Sequence, residues 1–286
     1  MKLRYYAELF KLKQTFLLAY SGVFGYLIAA GLDIDIAKLI LFIVASALSI
    51  SGTTGLNMYY DRDVDAIMFR TRNRPLPTNK LDPGEAFAVS MTLAVIGIAI
   101  GFMINYWVGI AILLGFLIDV YVYTVFLKRR TPLNIVIGAI AGGMPIFGGY
   151  MVYTGYPTLK AFFLMLIIAI WAMLHIWYIA IYYIEDYEAA NIPMLPVVVG
   201  EKQTIYACFL GLFILNLIVF FMLYLNYATM YSLVLSIMFT VTIFLVSVKY
   251  LKTNDKKHVR KAYKLLNPYQ GLLLITFLIE RIFLLH

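Results

Sequence analysis

Asn57, Asp61 and Asp65 recur at every fourth position of the chain. On a helix of 3.6 residues per turn, that spacing puts three oxygen-bearing side chains on one face, drifting by about 40 degrees per step. Asp63 falls on the opposite side beside Arg62 and reads as that residue's solvated partner, not as a ligand. Carboxylates stacked at the end of an apolar helix repel one another and resist desolvation, so they demand a cation or a water-filled space. Magnesium suits such a set, because it binds through one or two carboxylates and completes its shell with substrate phosphate oxygens. The spacing alone leaves a second reading open, in which the acids mark a helix end and pair with nearby arginines.

Three guanidinium groups follow directly, in Arg70-Thr71-Arg72-Asn73-Arg74-Pro75-Leu76. Guanidinium forks match phosphate oxygens two hydrogen bonds at a time. Acids for a metal and arginines for an anion make a diphosphate site, with the apolar tail of the ester free to lie between helices. Stabilising the departing diphosphate promotes an allylic carbocation. Taken singly, Arg72 reads as an interfacial charge anchor.

The elements that position these residues are membrane helices. The chain has 286 residues, of which 63% are hydrophobic and 13% charged. That is more apolar surface than a soluble core of this size hides, so lipid covers the rest. The net charge of +8 is dispersed in short segments between apolar runs. That distribution excludes a nucleic-acid binder, which needs a contiguous basic face. A single cysteine, Cys208, rules out an intrachain disulfide and a Cys-x-x-Cys-His haem attachment.

Runs of spanning length centre on residues 15–30, 37–57, 85–105, 107–127, 133–153, 160–182, 204–225, 228–248 and 268–285. The expectation is an all-α membrane protein of nine transmembrane helices around a central cavity, one domain over residues 1–286. The first run approaches spanning length and leads into further spans, so it reads as a helix rather than a cleaved signal peptide. With the amino terminus in the cytoplasm, all 23 Lys and Arg residues except Lys38, Lys160 and Arg281 fall on the cytoplasmic side. This asymmetry predicts an odd number of spans and an outside carboxyl terminus. Two long cytoplasmic segments, Asp61 to Gly84 and Glu185 to Lys202, echo each other. Tyr59-Tyr60-Asp61 leads to Pro75-Leu76-Pro77, and Tyr182-Tyr183 with Asp186 leads to Pro193-Met194-Leu195-Pro196. The basic stretch Lys249 to Lys264, with His258 in it, reads as a solvated loop.

The stretch Asn57-Met58-Tyr59-Tyr60-Asp61-Arg62-Asp63-Val64-Asp65 with Arg70-Thr71-Arg72-Asn73-Arg74 resembles the first motif of the UbiA-type intramembrane prenyltransferases, in their haem-farnesylating branch. Lys128-Arg129-Arg130-Thr131-Pro132-Leu133-Asn134 and the glycine-rich run to Tyr150 are similar to the central segment of that branch. Asp186-Tyr187-Glu188-Ala189-Ala190-Asn191-Ile192-Pro193 resembles its second motif. Ala190 stands where quinone-directed relatives carry a further aspartate, and Leu174 stands where the haem branch has a proline before its helical histidine.

The resemblance implies Mg2+ as cofactor, held by Asn57, Asp61, Asp65 and Asp186. It implies Arg70 and Arg74 on the diphosphate, with Lys128 and Arg129 assisting, and Asp61, Asp65, Asp186 and His175 as the catalytic set. His175 reads equally as a core residue, a haem iron ligand or a polar group near the reacting carbon. The implied reaction moves a farnesyl or geranylgeranyl group from a prenyl diphosphate to a vinyl group of protohaem IX. The implied place is the plasma membrane, with the site facing the cytoplasm and a haem-handling or oxidase-assembly partner nearby. Rival readings are a quinone precursor or a glycerol-phosphate ether lipid as acceptor, against which Arg70-Thr71 argues, and a cation-coupled secondary transporter. A transporter's acids belong near the bilayer midplane, whereas these lie at its edge. A purely structural assembly factor gives no reason for aligned acids followed by arginines.

Overall fold

In a computed structural model the chain is described over residues 2–285, with the side chain of Lys2 outside that description. Among the described residues every regular element is helical: α1 (Lys2–Leu9), α2 (Leu12–Ala30), α3 (Ile36–Tyr60), α4 (Arg62–Ile67), α5 (Pro83–Ile104), α6 (Tyr106–Phe116) continuing as a π-helix (Leu117–Leu127), α7 (Asn134–Thr154), α8 (Leu159–Tyr182), α9 (Ile184–Ala189), α10 (Leu195–Val199), α11 (Glu201–Tyr224), α12 (Met230–Thr253) and α13 (Lys256–Phe283). Start signals follow the chemistry of exposed amide groups. Asp35, Asp82, Thr158 and Asp255 accept the backbone N–H of Lys38, Glu85, Ala161 and Lys257, and Pro83 follows its cap at the first helical position.

Seven helices are long and apolar enough to cross a bilayer: α3, α5, α6 with its π-helical continuation, α7, α8, α11 and α12. The chain is thus a multi-pass membrane protein, since lipid satisfies no backbone group and helices satisfy their own. The expected spans at 15–30 and 268–285 fall in α2 and α13, which are not among the seven. Tyr20, Ser21, Gly22, Gly25 and Tyr26 dilute the apolar run of α2, and α13 opens with Lys256, Lys257, Arg260, Lys261 and Lys264.

Helices meet where small residues let backbones approach, the packing that serves inside lipid. A Cβ on Gly149 of α7 would stand 1.9 Å from the Gly22 carbonyl of α2, and one on Gly52 of α3 would stand 2.4 Å from the Ser90 carbonyl of α5. Polar side chains fasten the second half. Trp171 of α8 donates to the Leu266 carbonyl of α13 at 2.7 Å, and Tyr178 and Ser247 share a hydrogen bond of 2.7 Å. The buried Glu280 carboxylate accepts from the Thr229 hydroxyl at 2.6 Å and the Ser232 N–H at 2.9 Å, closing the start of α12.

The segment between α4 and α5 is irregular yet anchored. Leu76 and Leu81 are buried with Leu9 of α1, Met58 of α3 and Ala86 of α5. A patch of apolar burial therefore fixes the arginine-bearing stretch over the end of α3.

Candidate active site at the mouth of an apolar cavity

The helix carrying the acids breaks at Asp61, whose backbone ends α3 (φ −91°, ψ 0°) and leads into α4. Asp61 and Asp65 are both buried, at 6% and 3% exposure, which for carboxylates requires partners. Lys128, just past the π-helical segment, donates to Asp61 Oδ2. Arg74 spans both oxygens of Asp65 at 2.8 and 2.6 Å, while Thr71 donates to the Asp65 carbonyl at 3.1 Å. Burial alone would push the Lys128 ammonium down, but the Asp61 carboxylate outweighs it and holds the group above its ordinary value. Asp61 Oδ1 is buried without a hydrogen-bond partner.

Asn57, one turn before Asp61, is fixed on both sides. Its Nδ2 donates to Asp119 Oδ2 at 2.8 Å, and its Oδ1 accepts from the Thr124 hydroxyl at 2.9 Å. The Asp119 carbonyl lies at the same 2.9 Å from Thr124 Oγ1, so the two acceptors share that hydroxyl's single proton. Both partners sit on the π-helical segment of α6, whose wider turn changes the register of Asp119 and Thr124 relative to a regular helix.

Asp63 is not the partner of Arg62. Arg129 grips it at 2.7 and 2.6 Å and holds its carboxyl below the usual range, while also donating to the Tyr60 carbonyl at 2.9 Å. Arg62 instead donates to the Tyr59 carbonyl at 2.7 Å and lies over its ring. Adjacent residues on a helix do not face each other, which is why the neighbouring pair fails to form.

Asp186, on α9, reaches the first motif through its backbone: its oxygens accept the N–H of Phe69 at 3.0 Å and of Arg70 at 3.2 Å. Arg70 then extends to the Tyr187 hydroxyl at 3.4 Å and lies over the Tyr183 ring. Arg72 stacks on Phe69 away from the acids. Among the described residues no three His, Cys, Asp or Glu side chains form a ready-made metal shell. Both Asp186 oxygens are engaged by the backbone amides of Phe69 and Arg70. His175 stacks on Trp171 (centroids 5.3 Å, 17°) and meets Tyr263 edge-on, and its Nδ1 is buried without a partner.

An apolar cavity of about 240 Å3, walled by α2, α3, α6, α7 and α8, reaches Asp119, the hydrogen-bond partner of Asn57. Asp119 and Tyr123 are the titratable side chains on its wall, and the α8 residues facing it are Ala172 and Ile176, not His175.

Two residues of this arrangement escape a reading of the motifs. Asp119 is an acid inside the apolar run 107–127, a signal available in the sequence because membrane acids are costly. Lys11 stands between α1 and α2 with a left-handed backbone (φ 44°, ψ 54°). Burial, then the neighbouring cations of Arg74 and Lys128, push its ammonium down to about 8. Nothing in the sequence distinguishes it from the other basic residues of the amino-terminal segment.

Comparison with known proteins gives the family and the fold. The profile of the UbiA prenyltransferase family covers residues 18–268. A protoheme IX farnesyltransferase of Korarchaeum cryptofilum is 39% identical over 96% of this chain and 92% of its own. Among solved structures, a digeranylgeranylglyceryl phosphate synthase superposes with a TM-score of 0.81 at 22% identity, covering 98% of this chain and 99% of its own. A UbiA homologue from Archaeoglobus fulgidus bound to GPP and Mg2+ gives 0.74 at 16%, covering 97% and 99%. At those identities the structures speak for the fold. The sequence match spans the acids, the arginines, the central basic segment and Asp186 in one alignment, so the chain belongs to the UbiA prenyltransferase family.

Proposed function

We propose that this protein transfers a farnesyl group from its diphosphate to a vinyl group of protohaem IX. One observation carries the proposal: two buried, cation-paired carboxylates, one with an unpartnered oxygen, follow Asn57, whose amide is bonded to Asp119 on the wall of an apolar cavity. The name of the Korarchaeum relative supports haem as the acceptor, and the Arg70-Thr71 pair favours it over the glycerol-phosphate acceptor of the structural neighbour.

The residues present fit magnesium. Asp61 Oδ1 lacks a partner, Asn57 turns an amide oxygen to the same face, and Asp65 is one turn on. Mg2+ held by Asn57, Asp61 and Asp65, with Asp186 of the second motif completing the set, would neutralise the departing diphosphate as a Lewis acid. Arg70, Arg74, Lys128 and Lys11 surround the diphosphate with positive charge, Arg129 steadies α4 through Asp63, and Asp186 holds the Arg70 backbone in place. Carbon–oxygen cleavage leaves the electron pair on diphosphate, and the allylic carbon bonds to the terminal vinyl carbon. The resulting cation takes the oxygen of a water, which loses a proton to become a hydroxyl. The apolar wall keeps other water from the first cation. The unpartnered Nδ1 of His175, beside the cavity, serves the acceptor.

In the membrane, α2 and α13 cross with the other seven helices, giving nine spans with the amino terminus and the active site in the cytoplasm and the carboxyl terminus outside. The plasma membrane and a haem-handling or oxidase-assembly partner complete the setting. Membranes holding the protein, incubated with haem, farnesyl diphosphate and Mg2+, should yield haem heavier by one farnesyl group and one hydroxyl group. Unchanged haem mass with intact, inserted protein would refute the acceptor.

A further inference from the structure

The stretch from Lys249 to Lys264, which reads from sequence as a solvated loop, is helical apart from a two-residue turn, since α12 runs to Thr253 and α13 starts at Lys256. Its cations continue rows of exposed apolar side chains. On α12, Lys249 and Lys252 extend the exposed row Met238, Val241 and Leu245 at steps of three and four. On α13, Arg260, Lys261 and Lys264 head the exposed row that goes on as Leu272, Ile275 and Ile279. The opposite side of the same turns, Val259, Ala262 and Leu266, is buried, so the cations point outward. Counted from the turn at 1.5 Å per residue, Lys264 lies about 12 Å along α13 and Leu245 about 12 Å along α12. A cation of one helix is therefore level with an apolar side chain of the helix packed beside it. The acids of these turns are already taken, Glu185 by Lys256 at 3.0 Å and Asp255 by Lys257 at 2.7 Å. Among the described residues Lys249, Lys252, Arg260, Lys261 and Lys264 have no ion-pair partner.

We infer that this face of α12 and α13 binds the headgroup of an anionic phospholipid, drawn from the leaflet on the active-site side. The lipid phosphate sits among Arg260, Lys261 and Lys264, where a guanidinium fork matches two of its oxygens and the ammonium groups add charge. The acyl chains run along Leu245 and Leu272. The apolar part of the surface selects the occupant. A soluble polyanion reaches Lys264 only by giving up water beside Leu245, whereas a lipid brings its own chains to cover that side chain. Lys256, on the first turn of α13, holds Glu185 next to Asp186, so a lipid seated on this helix steadies the end that bears on the second motif.

The test takes the purified full chain in detergent, adds phosphatidylglycerol or phosphatidylcholine of identical acyl chains, and counts bound lipid by native mass spectrometry. Each cation at a membrane surface strengthens binding of negative charge by about fivefold, so wild type should hold the anionic lipid about tenfold or more tighter than the neutral one. Replacing all three α13 cations, Arg260→Gln with Lys261→Gln and Lys264→Gln, should weaken phosphatidylglycerol by about tenfold or more and leave phosphatidylcholine unchanged. Lys264→Gln alone should cost about fivefold, and it decides the matter if the triple variant does not fold. A control removes three exposed charges elsewhere, Lys13→Gln with Lys80→Gln and Lys202→Gln, and should keep the wild-type preference within about twofold. An equal loss in that control would reduce the effect to net charge and overturn the inference, as would an undiminished preference in the α13 variants. Displacement of phosphatidylglycerol by excess inorganic phosphate would make this a site for soluble anions and overturn the lipid. No step of the reaction is read, so the outcome is separate from that of the proposed function.

Discussion

Asp119 Oδ2 accepts a hydrogen bond from Asn57 Nδ2 at 2.8 Å, joining the π-helical segment of α6 to the acid face of α3. With its nitrogen donating to Asp119, the amide has its orientation fixed and its oxygen faces the Thr124 hydroxyl. Asp119→Leu releases the amide. It should lower kcat/KM for farnesyl diphosphate about tenfold or more, equivalent to about 1–3 kcal/mol for a charge-assisted hydrogen bond, and raise the Mg2+ concentration needed for half-maximal rate. Asp119→Asn retains an acceptor and should fall between. Steady-state kinetics across a Mg2+ series checks both, and an unchanged Mg2+ requirement in the leucine variant would remove Asp119 from the site.

Lys11 titrates near pH 8, where the ordinary lysine would stay charged. Its surroundings set the sign. Arg74 and Lys128 push it towards neutrality with burial, and Asp65 and Asp61 pull the other way. Below pH 8 the ammonium is present and meets the diphosphate directly. Above pH 8 binding the anion must also take up a proton, so KM for farnesyl diphosphate should rise with pH, by up to about tenfold per unit. Lys11→Arg, charged throughout, should flatten that rise. The pH profile of KM in the two proteins decides, and parallel profiles would place Lys11 outside the diphosphate site.

The pair of Asp61 and Lys128 separates stability from chemistry. Lys128→Met strands a buried carboxylate and should cost about 3–5 kcal/mol, read as a lower unfolding midpoint in detergent. Asp61→Asn alone strands the ammonium and should do likewise. The double variant removes both charges and should recover most of the midpoint while staying inactive. Activity in the recovered double variant would deny Asp61 its proposed part.

His175→Phe keeps a ring against Trp171 but deletes the nitrogens. It should leave diphosphate release from the donor within about threefold of wild type while cutting haem product about tenfold or more, a gap of about 1.4 kcal/mol on the acceptor step alone. Equal loss in both readouts would make the residue a packing element.

Much of this arrangement was legible in the residues themselves. The fourfold spacing of Asn57, Asp61 and Asp65 and the arginines after them required only helical geometry and charge. What stayed hidden depended on contacts across the fold. Asp119 stood out as an acid inside an apolar run, but nothing local says that a π-helical turn aims it at Asn57. Lys11 looked like topology charge because its neighbours, Arg74 and Lys128, lie far along the chain. Arg129 and Asp63, more than sixty residues apart, found each other only through the break between α3 and α4. The reverse also holds for α13, whose charged first half makes its second half hard to count as a span from composition.

Asp186 bonds the amides of Phe69 and Arg70 across a separation of more than 115 residues. During synthesis the first motif leaves the ribosome long before this clasp exists, so the amides of Phe69 and Arg70 wait for it while four helices are made, with Leu76 and Leu81 already able to pack on Leu9, Met58 and Ala86. A nascent protein that stalls before α9 carries every acid of the first motif yet leaves these two amides without their carboxylate.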